Sequence, residues 1–272
     1  MKGAASRVAL VQRYGADVAA MEGPDYVAVE EPLEIRIEGH SVAVVMRTPG
    51  HDRELAAGFL LSENLVHAVA DIFDLTQCGN GENAVNVTLR NPTVFDAARL
   101  TRHVFSSSSC GICSKAAIDA VQKTYPAVLD DCRVTTETLS TLPVKIRAKQ
   151  ETFAQTGGLH ACALFDLHGE LQSIREDVGR HNALDKLIGH AFLENQLPLH
   201  GRVLLLSGRV SFEMMQKALA GGISIVAAIS APTTLAVEFA RESNQTLIGF
   251  LRGETMNVYA GGERIRAERK NL

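Results

Sequence analysis

The two cysteines Cys110 and Cys113, in a Cys-x-x-Cys arrangement, are the residues best suited to chemistry in this sequence. They follow four serines and precede a segment with helical spacing of apolar residues, which predicts a helix beginning close to the pair. The helix dipole and the free N–H groups of a first helical turn favour thiolate over thiol, and Lys115 adds a cation. Because the thiolate is the nucleophilic form of cysteine, the pattern predicts a reactive or sulfur-carrying thiol.

Several kinds of site contain paired cysteines, and the sequence argues against two of them. A structural zinc site needs four ligands, commonly from two close pairs, and only one such pair is present. A zinc-dependent nucleobase deaminase needs a His-x-Glu segment before its cysteine pair, whereas His160 lies after the pair and lacks the glutamate. A persulfide carrier, a dithiol oxidoreductase and two structural cysteines at a helix start all remain open.

Composition indicates an ordinary globular protein of 272 residues, with 46% hydrophobic and 21% charged residues. A net charge of -4, from 27 basic and 31 acidic residues, argues against a general nucleic-acid partner. No apolar run approaches the roughly 20 residues of a membrane helix, so no membrane partner is expected. The N-terminus does not have the pattern of a signal peptide.

Cysteine usage bears on the compartment. The chain has five cysteines, and apart from the close pair they are scattered, which does not suit a disulfide framework. We therefore expect reduced thiols and a cytoplasmic location. The three remaining cysteines, Cys78, Cys132 and Cys162, are interpreted as small buried apolar residues.

The order of predicted elements indicates an α/β fold in two domains. Residues 1–108 are predicted to form a β-rich α+β domain, with strands at 26–30, 33–38, 42–47 and 83–90 and a helix at 51–64. Residues 109–272, which carry the Cys-x-x-Cys loop, are predicted to begin with helices at 114–125 and 142–153, followed by a hairpin over 159–176. Strands and helices then alternate to residue 251, which predicts a mixed sheet with helices on both faces.

Three loops of the second domain suit an anionic ligand. They follow predicted strands and precede predicted helices, and they are rich in small, hydroxyl and cationic residues: 175–181, 207–211 and 230–234. Ligands of α/β sheets bind at the carboxyl ends of the strands, and helix N-termini favour anions. We therefore expect Arg180, His181 and Arg209 at a phosphate-binding surface, with bidentate contacts from the arginines.

Several segments together resemble the FdhD family, sulfur carriers required for formate dehydrogenase activity. The likeness runs from about residue 30 to residue 259, and the EDVGRHNALDK segment is its most specific part. The matching segments are 54–63 (ELAAGFLLSE), 109–113 (SCGIC), 156–161 (TGGLHA), 176–186 (EDVGRHNALDK), 207–209 (SGR) and 233–238 (TTLAVE).

This resemblance implies a sulfurtransferase that accepts sulfur from a cysteine desulfurase as a persulfide on Cys110. The acceptor is the molybdenum (or tungsten) of a bis-guanine-dinucleotide pterin cofactor, which then enters the formate dehydrogenase apoprotein. Cys113 matches the second cysteine of the family's pair. The resemblance also implies a homodimer, no metal held by the protein itself and a C-terminal fold similar to cytidine deaminase.

The family's cofactor-binding stretch near the C-terminus matches six consecutive residues: Phe250, Leu251, Arg252, Gly253, Glu254 and Thr255. Two rival functions remain, and the first of them depends on the cofactor that the resemblance implies. One is a chaperone that shelters the pterin cofactor without transferring sulfur, and the other is a thiol–disulfide oxidoreductase.

Overall fold

The computed structural model of the chain describes residues 4–15, 18–78, 83–92 and 125–267. Cys110 and Cys113 lie outside the described residues, and so does the predicted helix at 114–125 except for Tyr125. The predicted domain boundary at 108/109 lies outside them as well, and the division into two domains stays a prediction. Among the described residues, no helix is both long and apolar enough to span a membrane.

A mixed six-stranded sheet forms the centre of the C-terminal half. Its strands are β8 (His160–Asp166), β9 (Leu171–Asp177), β10 (Arg202–Leu206), β11 (Ile225–Ala228), β12 (Thr246–Arg252) and β13 (Thr255–Ala260). The spatial order is β13-β12-β11-β10-β8-β9. β10, β11 and β12 are parallel to one another, whereas β8, β9 and β13 pair antiparallel with their neighbours. The predicted hairpin and the alternation after it are confirmed.

Helices cover both faces of this sheet. They are α2 (Thr136–Lys149), α4 (Arg180–Leu193), α5 (Phe212–Ala220) and α6 (Thr234–Glu242), whereas the short helix α3 (Glu151–Thr156) buries none of its residues and lies against the N-terminal strand pair. In β8, Ala163 and Phe165 pack in the same apolar cluster as Leu142 of α2, whereas Cys162 and Leu164 pack in the cluster that contains α4, α5 and α6. Because successive strand residues point to opposite faces, a strand buried on both sides is apolar at every position.

The N-terminal half contains a four-stranded sheet and one helix, α1 (Asp52–Ser62). The sheet has the order β4-β3-β6-β5, and its strands are β3 (Glu31–Ile37), β4 (His40–Arg47), β5 (Ile72–Gln77) and β6 (Ala84–Leu89). A separate two-stranded ribbon precedes it, formed by β1 (Ser6–Gly15) and β2 (Val18–Ala28). The short strands β7 (Val134–Thr135) and β14 (Ile265–Arg266) pair in parallel, which connects residues 265–266 to the residues that precede α2.

The two halves meet where α1 crosses α4, and glycines make the crossing close. A Cβ atom on Gly58 would lie 1.9 Å from the backbone oxygen of Asp185, and one on Gly189 would lie 1.8 Å from that of Glu54. No side chain larger than hydrogen fits at either position. One apolar cluster consequently includes residues from the four-stranded sheet, α1, α4 and the six-stranded sheet.

Charged side chains beside this crossing also connect the N-terminal half to the C-terminal half. Arg175 of β9 donates two hydrogen bonds to Glu54 of α1, at 2.5 and 2.8 Å, and both side chains are largely buried. His51 and His190 also contact the Glu54 carboxylate. Burial opposes ionisation of Glu54, but the hydrogen bonds and charges of His51 and Arg175 outweigh it and lower the pKa to about 2.

Some predicted elements differ from the structure. The helix predicted at 142–153 is two helices, Thr136–Lys149 and Glu151–Thr156, because Pro143 is accommodated within the first and the chain breaks at Gln150 instead. The predicted strand at 26–30 is the end of a ribbon that begins at residue 6. β5 and β13 were not predicted, since β5 has mixed polarity and β13 is mostly exposed.

We expect Gly58→Ala to lower the free energy of unfolding by about 3 kcal/mol, because the new methyl group forces α1 and α4 apart. Urea denaturation followed by circular dichroism measures this change. Gly221→Ala is the matched control, because the nearest atom to its Cβ would be 3.5 Å away and its φ of -77° suits alanine. Equal losses in the two variants would show that the helix crossing does not depend on Gly58.

Candidate anion-binding site at one edge of the six-stranded sheet

The carboxyl ends of β9, β10, β11 and β12 lie at one edge of the six-stranded sheet, together with the first residue of β8. We call this surface the loop edge and define it as residue 160 with segments 177–181, 207–213, 230–233 and 250–255. Its loops are bonded to one another: Val210 N donates to Ala231 O at 3.1 Å, and Phe250 N donates to Ser230 O at 3.1 Å. The three loops selected from the sequence therefore occupy one surface.

Asp177, fully buried at the end of β9, organises the first of these loops. Its carboxylate accepts hydrogen bonds from Gly179 N at 2.8 Å and from Thr48 N at 3.1 Å. Lys186 of α4 pairs with it at 2.6 Å and also donates to Thr48 O at 2.8 Å. These bonds fix the start of α4 against the N-terminal half, so the position of Arg180, the first residue of α4, depends on both halves.

His160, the first residue of β8, lies between the ends of β9 and β10 and is half-buried. Burial lowers its pKa, and the nearby Arg180 guanidinium lowers it further. His181 and Arg209 act in the same direction, and the buried carboxylate of Asp177 opposes them. The imidazole of His160 is thus neutral at neutral pH in a surrounding of positive charge, which favours an anionic ligand.

Gly208 allows the loop after β10 to approach this histidine. A Cβ atom at this position would lie 3.1 Å from His160 Nδ1, which is closer than ordinary contacts, and 3.9 Å from the Cδ atom of Arg180. The loop is held here because Ser207 Oγ accepts from Ala161 N at 2.9 Å and Ser207 N donates to Ala161 O at 3.0 Å. The glycine thus lets the third cationic residue, Arg209, reach the loop edge with its side chain exposed.

Arg180 provides the clearest indication that the site binds an anion. Its Nε atom is buried and has no hydrogen-bond partner among the described residues. Buried donors in proteins are nearly always paired, and an unpaired one costs about 1–3 kcal/mol. An anion seated at the loop edge would supply the missing acceptor, and a guanidinium offers a phosphate two parallel N–H groups. The residues present therefore fit a phosphate-bearing ligand.

His181 contacts the next helix rather than standing free. Its Nε2 atom lies 2.9 Å from Glu213 Oε2 and 3.4 Å from Ser211 Oγ. The hydrogen bond from His181 lowers the pKa of Glu213, and burial opposes this shift only in part. An ionised carboxylate therefore faces the imidazole at neutral pH.

The C-terminal stretch 250–255, called here the 250–255 turn, comprises the last three residues of β12, two turn residues and the first residue of β13, at the same edge. Phe250 is partly exposed with a φ of +52°, and the Arg252 guanidinium lies 5.7 Å from its ring centre. Gly253, with a φ of +56°, and Glu254 are exposed turn residues. Leu251 is fully buried in the sheet core, so it is not accessible to a ligand.

Thr255 completes this turn by donating a hydrogen bond from Oγ1 to Arg252 O at 3.0 Å. The Nε atom of Arg252 donates to Ile229 O at 3.3 Å, which joins the turn to the end of β11. The structure therefore brings five predicted cofactor-binding residues to the loop edge with accessible side chains or turn backbone, beside Arg180, His181 and Arg209.

Two of the three described cysteines, Cys132 and Cys162, are poor nucleophiles. Cys162 is fully buried below Arg180, and its Sγ atom lies 3.8 Å from Arg180 O. Burial raises its pKa well above the usual range, and the carboxylates of Asp185 and Asp177 add to the shift. Cys132 is partly buried, and burial raises its pKa as well. No cluster of three or more His, Cys, Asp or Glu side chains suited to a metal occurs in the described ranges.

Sequence reasoning missed two participants of the loop edge. At the level of sequence, His160 is compared only with a deaminase motif, although its place two residues after a pair of glycines, at a strand start, is a signal for an edge position. Glu213 has no signal in the sequence, because a single glutamate in the first turn of an amphipathic helix is ordinary.

Comparison with known proteins places the chain among relatives of one kind. The sequence model of the FdhD/NarQ family matches residues 28–266. "Sulfur carrier protein FdhD" of Streptomyces avermitilis is 49% identical over 92% of both chains. The protein of the same name from Mycobacterium tuberculosis is 46% identical over 89% of this chain and 92% of its own. That of Saccharolobus solfataricus is 43% identical over 92% of this chain and 94% of its own.

A solved structure has the same fold. The crystal structure of a candidate formate dehydrogenase accessory protein from Desulfotalea psychrophila matches with a TM-score of 0.78. The match covers 97% of this chain and 100% of the other, at 23% sequence identity. The α/β fold of mixed sheets with covering helices is therefore shared along nearly the whole chain.

We expect Lys186→Met to destabilise the protein by about 3–5 kcal/mol, because it leaves the Asp177 carboxylate buried without its cation. Urea denaturation at neutral pH measures the loss. Lys149→Met is the control, since Lys149 is exposed on the last turn of α2 and its loss should change stability by less than about 0.5 kcal/mol. A Lys186→Met protein as stable as the control would contradict this account of the loop.

Proposed function

Because the chain belongs to the FdhD/NarQ family, we propose that it is a sulfur carrier required for formate dehydrogenase activity. It accepts sulfur from a cysteine desulfurase as a persulfide on Cys110. It then transfers the sulfur to the molybdenum (or tungsten) of a bis-guanine-dinucleotide pterin cofactor bound at the loop edge. The protein is in this sense a sulfurtransferase, and the cofactor is its substrate.

The unpaired Nε atom of Arg180 is the observation that carries the proposed acceptor site. The cofactor carries two guanine dinucleotide arms and hence several phosphates. A phosphate at the loop edge would accept from Arg180 and would be stabilised by the positive charge that lowers the pKa of the neighbouring His160. Arg209, exposed on the adjoining loop, supplies a further cation.

The loading step needs only a thiolate at Cys110. The thiolate attacks the outer sulfur of the donor's persulfide, the donor's S–S bond breaks, and the donor leaves as a thiolate while Cys110–S–SH forms. The low-pKa setting predicted from the sequence favours this attack. Cys162 is unsuitable for the same role because it is fully buried and its pKa is raised.

Two routes for delivery differ in the role of Cys113. In one, the Cys113 thiolate attacks the Cys110 sulfur, a Cys110–Cys113 disulfide forms, and hydrosulfide is released to become a ligand of the metal. A cellular thiol must then reduce the disulfide before the next cycle. In the other, Cys113 only tunes Cys110: the persulfide loses its proton, its S–S bond breaks, and Cys110 leaves as a thiolate. The terminal sulfur would then become a sulfide ligand, with the two electrons supplied by oxidation of the metal of the substrate cofactor.

The loop edge gives the acceptor several points of contact. Helices α4 and α6 begin there, and their free N–H groups favour phosphate oxygens. The turn at 250–255 adds the partly exposed ring of Phe250 and the guanidinium of Arg252. We propose that this turn holds one guanine dinucleotide arm. The proposed protein partners are the desulfurase, the formate dehydrogenase apoprotein and a second copy of the chain.

Two other functions use the same features differently. A cofactor chaperone would use the loop edge without sulfur transfer, and formate dehydrogenase activity would then survive Cys110→Ala but not changes at the loop edge. A dithiol oxidoreductase would reduce insulin disulfides and would need both cysteines. The sulfur-carrier proposal is favoured because the similar proteins are named sulfur carrier proteins, whereas the loop edge fits a carrier and a chaperone equally.

Mass spectrometry of the intact protein tests the carrier step directly. After incubation with a cysteine desulfurase and cysteine, we expect the wild-type protein and Cys113→Ala to gain one sulfur atom that a reductant removes. Cys110→Ala should gain none, because it lacks the accepting thiolate. Absence of the gain in every variant, with the desulfurase shown to be active, would leave a cofactor-binding protein without sulfur transfer.

Arg180→Gln tests the acceptor site separately. We expect sulfur loading to be unchanged and the affinity for guanosine diphosphate, which carries the guanosine and diphosphate of one cofactor arm, to fall about 10- to 100-fold. Isothermal titration calorimetry measures this affinity. Arg53→Gln is the control, because Arg53 is exposed on α1 away from the loop edge. Equal binding by both variants would remove Arg180 from the site.

A further inference from the structure

The ring of His160, the first residue of β8, lies beside the side chain of Arg180. A Cβ atom on Gly208 would lie 3.1 Å from His160 Nδ1, 3.2 Å from His160 Cε1 and 3.9 Å from Arg180 Cδ. The Nδ1–Cε1 edge of the imidazole thus faces the same point of the loop edge as Arg180 Cδ. This carbon is bonded to Nε, the buried donor without a hydrogen-bond partner among the described residues. An anion that binds this donor therefore lies close to the His160 ring.

The imidazole of His160 has no direct partner that fixes its protonation. The backbone of His160 pairs with that of Asp177, but the ring makes no hydrogen bond or ion pair within the part of the chain that the structure describes. By contrast, His51, His181 and His190 each contact a glutamate carboxylate. Because His160 is half-buried, its ring exchanges protons with solvent, and its charge depends on burial and on the groups around it.

Burial and positive charge both oppose a proton on His160. Burial is the largest cause that lowers the pKa of the ring, and the guanidinium of Arg180 comes next. The groups that lower this pKa by their charge are Arg180 and His181 at the start of α4 and Arg209 in the loop after β10. The free loop edge therefore holds the imidazole in its neutral form at neutral pH.

Asp177 of β9 is the carboxylate that opposes this effect, since it raises the pKa of His160. Its charge is already balanced, because Lys186 Nζ lies 2.6 Å from Asp177 Oδ2 and both side chains are buried. An anion bound to Arg180 would instead offset the cation that contributes most to keeping the ring neutral. The charge state of His160 is thus expected to depend on whether the loop edge is occupied.

We propose that His160 is the proton-linked residue of the acceptor site: its ring is neutral in the free protein and takes up a proton when a diphosphate group binds at Arg180. This inference rests on the proposed function, because it assumes a phosphate-bearing acceptor at the loop edge. It adds that a proton enters the site together with the acceptor, so that the acceptor is bound more tightly at lower pH.

The sign of the coupling follows from linkage between proton and ligand. An anion near the ring stabilises imidazolium, so the pKa of His160 is higher in the complex than in the free protein, where it lies below the ordinary 6.5. Affinity is therefore greatest below the pKa of the free protein and falls as the pH rises through the pKa of the complex. One charge at about 7 Å, with an effective dielectric constant of about 40, shifts the pKa by about one unit.

The probe is guanosine diphosphate mannose, in which both phosphates are esterified on two sides, as in a dinucleotide arm. It lacks the second phosphate pKa of about 6 that a terminal phosphate has, so the probe itself exchanges no proton near neutral pH. The Cε1–H resonance of His160, assigned by its absence in His160→Gln, is followed by NMR from about pH 5 to about pH 8 with histidine-labelled full-length protein. We expect saturating probe to raise the pKa of His160 by about one unit.

Calorimetry measures the same coupling from the side of the ligand. Between about pH 5 and about pH 8, we expect the affinity of the wild-type protein for the probe to fall by up to about tenfold. His160→Gln should lose this part of the pH dependence, because glutamine does not titrate.

Arg180→Gln checks the geometry without any ligand. Removal of the guanidinium should raise the pKa of His160 in the free protein, because the nearest cation is lost. Arg53→Gln is the matched control, since Arg53 is exposed on α1 away from the loop edge and its loss should leave this pKa unchanged. The same pKa in both variants would show that Arg180 does not act on the ring and would overturn the inference.

The ligand experiment separates the two proposals. A pKa of His160 that is the same with and without saturating probe would overturn its role while leaving the acceptor site intact. Failure of the wild-type protein to bind the probe at any pH is a different result, because it would remove the acceptor site itself and the role of His160 with it.

Discussion

The buried ion pair between Asp177 and Lys186 is the interaction on which the loop edge depends. It joins the end of β9 to helix α4 and, through Thr48, to the four-stranded sheet. Two opposite charges without solvent are stable only with good geometry and further hydrogen bonds, and Gly179 and Asn182 supply these. The direction in which α4 leaves the sheet is determined here.

The segment 176–186 is rich in polar residues, but most of their side chains bond to other parts of the protein instead of facing a ligand. Glu176 accepts from the first N–H groups of α3, Asn182 donates to Met46 O, and Asp185 pairs with Lys217. These side chains hold parts of the protein together. Arg180 and His181 are the members of the segment that reach the loop edge, so a densely polar stretch leaves only two groups for the acceptor.

The close crossing of α1 and α4 makes the two halves one packed unit around this pair. With glycines at 58 and 189, the helix backbones touch, and the Glu54–Arg175 pair lies beside the contact. The N-terminal half thus contacts α4 through backbone at residues 185–189, and it contacts the segment at the start of α4 through the side chains of Asp177 and Lys186. The loop edge is formed by residues of the C-terminal half, but its geometry depends on both halves.

The sequence by itself determined the α/β fold, the hairpin and alternation of the C-terminal half, and the three loops with Arg180, His181 and Arg209. These features depend on local periodicity and on strand-to-helix order, which a sequence displays directly. The ribbon of β1 and β2 could not be predicted from local periodicity, and neither could β5 and β13. Their polarity pattern is weak, and they are stabilised by pairing with other strands. Only the tertiary structure decided three features of the site: the unpaired Nε of Arg180, the closeness of His160 to Gly208 and the contact of Glu213 with His181. Each depends on how elements far apart in sequence pack, and no local pattern encodes such a distance.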